Sequence, residues 1–90
     1  MDMLALLKSR LPADLEIVKT KGRTSSNQIE ITFNHNGQEV RGWLNKVCAP
    51  GYAELICDKV IYNVLISAAL DRNDVAGAKK YYELMNELGA

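Results

Sequence analysis

The chain holds 90 residues, 48% hydrophobic and 24% charged, and its eleven basic side chains balance eleven acidic ones. A chain this short builds one core, which excludes a two-domain protein. Zero net charge argues against a dedicated nucleic-acid or membrane-surface binder, whose basic surplus usually shows in composition, and equally against an acidic mimic of DNA.

Asp2 is placed to cap a first helix, with Leu4, Leu7 and Leu11 at helical spacing and Pro12 ending it. Leu15, Ile17 and Lys19 then alternate with Glu16, Val18 and Thr20, which predicts a strand with Lys19 on the side of Leu15. Residues 22–27 have loop composition, and residues 19–23 form the one basic run, expected to be a solvated strand end. Asn36-Gly37 is a strong hairpin signal, because a type I′ turn needs two residues that accept positive φ. A two-residue loop there pairs Phe33 with Val40, Ile31 with Gly42 and Ile29 with Leu44 on one apolar face. The opposite face then carries Glu30, Thr32, Asn34, Glu39, Arg41 and the single tryptophan, Trp43.

Pro50 suits the first position of a helix, where its missing N–H costs nothing. That helix is predicted over residues 50–70. Its polar positions Glu54, Asp58, Asn63, Ser67 and Asp71 form a narrow stripe, so most of its circumference should be buried. Val75, Ala78, Tyr82, Met85 and Leu88 mark the apolar stripe of a last helix, with Gly89 as its cap. The order αβββαα predicts a single α+β domain over residues 1–90. A three-stranded antiparallel sheet should have its helices on one face.

No opening basic stretch leads into an apolar run with a cleavage site, so no secretory leader is expected. The longest uncharged run, residues 60–70, has 11 residues and is too short to cross a bilayer. A cytoplasmic location without membrane association is the default expectation, with both cysteines reduced.

Several of these residues carry a family resemblance. Leu15, Ile17, Val18, Gly22, Ile29, Ile31, Phe33 and the Asn36-Gly37 turn are followed by Val40, Gly42, Ala53-Glu54, Cys57, Ile61 and Leu65. Over residues 1–70 this pattern resembles a degenerate double-stranded-RNA-binding domain, and it leaves residues 71–90 as an additional helix. The resemblance implies an αβββα fold and, in the intact family, contacts to RNA backbone. The positions that matter for RNA depart from the pattern. Pro50 and Gly51 stand where the family places lysines, and Gly22-Arg23 with Ser25 replace a Gly-Pro and a His. The bases left as candidate RNA contacts are Lys8, Lys21, Arg23 and Lys46, a set too scattered for more than weak, salt-sensitive binding. Degenerate members of this family commonly bind proteins.

Two further likenesses are narrower. Val60, Tyr62-Asn63, Leu65-Ile66, Ala78, Met85 and Gly89 resemble one pentatricopeptide repeat, but such units need about three stacked copies, and a plain helical hairpin is the better account. The order of elements also resembles small phage-encoded inhibitors of CRISPR nucleases, whose DNA-mimicking members carry an acidity absent here.

Catalytic residues are not evident. His35 is the only histidine and is expected to be a solvated turn residue. Cys48 and Cys57 have no metal-ligand spacing with it, so no metal or other cofactor is expected. Cys57 should act as a small buried hydrophobe. Cys48 precedes a helix N-terminus that could activate a thiolate, although an inert loop cysteine is the commoner outcome. Trp43 is the stronger lead. With Arg41, Thr32 and Glu30 beside it, it makes a surface typical of protein-interface anchors, unless the last helix wraps round to bury it. The expected function is a non-enzymatic protein-binding module, an adaptor or small inhibitor whose partner is another protein or a second copy. Weak binding of structured RNA is the alternative.

Overall fold

The computed structural model describes residues 2–22 and 27–88, so Arg23, Ser25 and Gly89, singled out above, lie outside the described residues. The backbone N–H groups of Leu4 and Ala5 donate to the Asp2 carboxylate at 3.1 and 3.2 Å, starting α1 (Met3–Arg10). A cap of this kind stabilises a helix by about 1 kcal/mol. Leu11 has already turned extended before Pro12, as the proline ring requires.

Three strands follow: β1 (Leu15–Gly22), β2 (Gln28–His35) and β3 (Gln38–Asn45), antiparallel in the order β1-β2-β3. Asn36 and Gly37 both take positive φ, 52° and 89°, and close the hairpin as a type I′ turn. The resulting register pairs Phe33 with Val40, Ile31 with Gly42, Ile29 with Leu44 and Glu30 with Trp43. Every predicted pair of this hairpin is present.

β1 departs from regular alternation. Ile17 pairs with Phe33, but Lys19 pairs with Thr32, so Val18 is an extra residue in a bulge. Because side-chain direction has a period of two, one extra residue reverses every side chain beyond it. Thr20 therefore faces Ile31 on the core side, and Lys19 and Lys21 face Thr32 and Glu30 on the other. Lys19 was expected beside Leu15. The bulge puts it on the opposite face.

Pro50 opens a 3₁₀ turn over Pro50–Tyr52, and α2 (Ala53–Asp71) begins three residues later than predicted. Eight α2 residues are buried, from Ala53 and Cys57 through Val64 to Ala69. After a turn containing Asn73 at φ 61°, Asp74 caps α3 (Val75–Glu87) by accepting from Gly77 N at 2.9 Å. The result is an α+β fold in the order αβββαα. α2 lies across β3, α1 packs on α2 and β3, and α3 packs on α2, so the helices share one face of the sheet. Among the described residues, no helix is long and apolar enough to cross a membrane.

Arg10 ties α1 to α2. Its Nε and Nη2 donate to the two Asp58 carboxylate oxygens at 2.8 and 2.7 Å, with Glu54 at 3.8 Å. These hydrogen bonds, and then the Asp58 charge, hold the guanidinium above its ordinary range. Paired planar geometry makes this fork stronger than a single point contact.

Candidate functional site

The outer face of the sheet, turned away from the helices, brings together the residues singled out as an interface. Along β3, Glu39, Arg41 and Trp43 are exposed, whereas Val40, Gly42 and Leu44 between them are buried. On β2, Glu30 and Thr32 sit directly opposite Trp43 and Arg41. The reversed end of β1 adds Lys19 and Lys21 beside Thr32 and Glu30. Simple alternation missed Lys19, and nothing in a single sequence marks Val18 as the extra residue.

Trp43 is 47% exposed, and α3 does not cover it. The Glu30 side chain is largely covered and meets Arg41 Nη1 at 3.8 Å, a separation that leaves the guanidinium available. Two shallow depressions of about 180 and 410 Å³ share Lys19, Thr32 and Arg41 as lining. Lys19, Lys21 and Arg41 are set among Glu16, Glu30 and Glu39, so the face alternates in sign and has no net positive field. Phosphate backbones favour a one-signed surface. A mixed surface with an indole suits a protein.

The candidate RNA contacts do not converge. Lys8 is exposed on α1 in the helical layer, Lys21 lies on the outer sheet face, and Lys46 follows β3 with its ammonium near Gly22. Arg23 is outside the described residues.

No family model, curated protein or solved structure matches this chain. What the protein does has to come from the chemistry of its own surface.

His35 corrects one expectation. Far from being a solvated turn residue, it is 6% exposed, and its Nε2 lies 3.1 Å from Asp14 Oδ2. It shares the parity of Ile31 and Phe33, so the hairpin register turns its ring inward, and the α1–β1 connection folds over it. That parity was visible in the sequence. Replacing His35 with Ala removes the buried ring and its bond to Asp14, and should lower stability by about 2 kcal/mol. Urea unfolding would check this, and a loss below measurement error would mean that the contact carries no weight.

The thiols are also placed. Cys57 is fully buried and its Sγ donates to Met3 O at 3.9 Å. Burial pushes this thiol up from its ordinary value. Cys48 is half-buried, and the 3₁₀ turn separates it from α2. Its Sγ donates to Ala49 O at 3.4 Å. His35 and Cys48 lie beyond opposite ends of β3, which at 3.4 Å per residue is on the order of 25 Å of strand.

Another concavity, about 380 Å³, lies between the end of α1, α2 and α3, where Tyr62 and Tyr81 stand with ring centroids 6.4 Å apart. The Arg10–Asp58 pair borders it, and these two groups already bond each other.

Proposed function

We propose that this chain is a non-enzymatic protein-binding module, an adaptor or small inhibitor, that grips its partner through the outer sheet face. The observation that carries this reading is the half-exposed Trp43 beside Arg41 on edge strand β3, with its indole bordered by the flank of α2 and not sealed by it. A large indole left in water loses the free energy of burial, and a partner that covers it recovers roughly 1.5–3 kcal/mol. Tryptophan and arginine are also the residues most often found at the energetic centre of interfaces. The likeness to a double-stranded-RNA-binding domain belongs to the same proposal, as a fold whose sheet is turned to protein contact.

The test is affinity capture from cell lysate, with and without nuclease, using the wild-type chain and Trp43→Ala. Trp43 is exposed and outside the core, so the variant should keep its fold by circular dichroism. A hot-spot truncation costs 2 kcal/mol or more, so the captured partner should be held about 30-fold more weakly. Undiminished capture by Trp43→Ala removes the proposal. Capture that disappears with nuclease transfers the function to RNA.

A further inference from the structure

The sheet has two edges, and they are built differently. β1 carries a bulge at Val18 with Lys19 and Lys21 beyond it, and a bulge and lysines are two devices that keep an edge from pairing. β3 has neither. It runs eight residues without a bulge, a proline or an internal lysine. The two-residue turn makes His35 and Gln38 a hydrogen-bonded pair, and Lys46 N donates to Asn27 O at the other end. Even-numbered residues of β3 therefore bond β2. Glu39, Arg41, Trp43 and Asn45 turn their N–H and C=O groups to the open edge. Beside that edge, the flank of α2 leaves a groove of about 420 Å³ lined by Gly42, Trp43, Val60, Asn63, Val64 and Ser67.

We infer that this edge pairs antiparallel with β3 of a second copy, joining two sheets across a two-fold axis at Gly42. One register uses all four outward residues. It sets Arg41 against Trp43 of the other copy, twice by symmetry, and Glu39 against Asn45. A guanidinium over an indole is a favourable cross-strand pair, and no like charges meet. A strand with Lys or Glu in place of Trp43 would not be self-complementary in this way. Gly42 keeps the axis free of side chains on the helical side, where the two α2 flanks approach. Zero net charge removes long-range repulsion between the copies. The pairing goes beyond the proposed function, because it adds the backbone groups of the strand edge and names a second copy as their partner.

Sedimentation equilibrium from low to high micromolar concentration should show a monomer–dimer equilibrium. Arg41→Pro removes one outward N–H per copy and leaves the bonds to β2 in place, as proline at an open edge does. Two backbone hydrogen bonds and both Arg41–Trp43 pairs lost across the axis should weaken the dimer at least about 30-fold. Amide hydrogen exchange of the unmodified chain reads the edge directly, should the variant fail to fold. The amides of Arg41 and Trp43 should gain protection as concentration rises, and those of Val40 and Gly42 should be protected throughout. A monomer at every concentration overturns the inference, as does a dimer in which Arg41 and Trp43 exchange freely. Either result leaves Trp43-dependent capture of another protein to stand or fall on its own experiment.

Discussion

Phe33→Ala should remove about 3–5 kcal/mol of folding stability, the largest single loss expected in this chain. Phe33 is fully buried on the central strand, between Ile17 of β1 and Val40 of β3, and its ring reaches the place where a Gly42 side chain would be. Its removal leaves a void walled by strands on both sides and by α2 above, where little can collapse inward. Stability of 0.05–0.15 kcal/mol per residue puts a domain of this size at roughly 5–13 kcal/mol, so the loss approaches half the total. The urea midpoint should fall accordingly with an unchanged slope. A drop below about 1 kcal/mol would show that the ring is not packed as described.

Gly42→Val is expected to cost about 3 kcal/mol, against the direction that strand propensity alone would give. Valine favours strands and glycine weakens them. Space decides the sign here. A Cβ at position 42 would stand 3.0 Å from Phe33 Cε2 and 3.0 Å from Val64 Cγ2, and the valine methyls would reach further. α2 would have to lift from β3 where it crosses most closely. Shortening Val64 to Ala in the Gly42→Val background should return part of the loss, because the two sites compete for one volume. If Gly42→Val is neutral or stabilising, α2 does not sit on β3 at this point.

The hairpin was legible because turn chemistry and parity agree: Asn36-Gly37 fixes the loop at two residues, and the loop fixes every pair down to Ile29 and Leu44. The same parity would have turned His35 inward, but its place beside the turn and its polarity pointed outward. Its partner Asp14 is 21 residues away, a contact that no local pattern encodes. β1 was legible only as far as Ile17. The bulge depends on how β1 meets β2, so Lys19 and Lys21 reached the Trp43 face through pairing rather than through their own sequence. The start of α2 slipped for a local reason, since a proline at a first helical turn fits a 3₁₀ turn as well as an α-helix. The spacing from Glu30 to Trp43 was enough to set those two residues opposite each other on the outer face. Its balanced charge became readable only once β1 was in place.

α3 buries one residue, Ala78, and rests on α2 through partly covered side chains such as Tyr81. α3 makes its main contacts with α2 and none of note with a strand, so its loss is expected to leave the pairing of the sheet in place. Its departure would bare Ile61, Tyr62 and Leu65 on α2 and widen the cleft beside Arg10 and Asp58. Among the described residues, the Asp71–Asp74 turn is the expected point of proteolytic attack. Stability is therefore expected to be graded, highest where α2 lies on the hairpin and lowest in a last helix held by one neighbour.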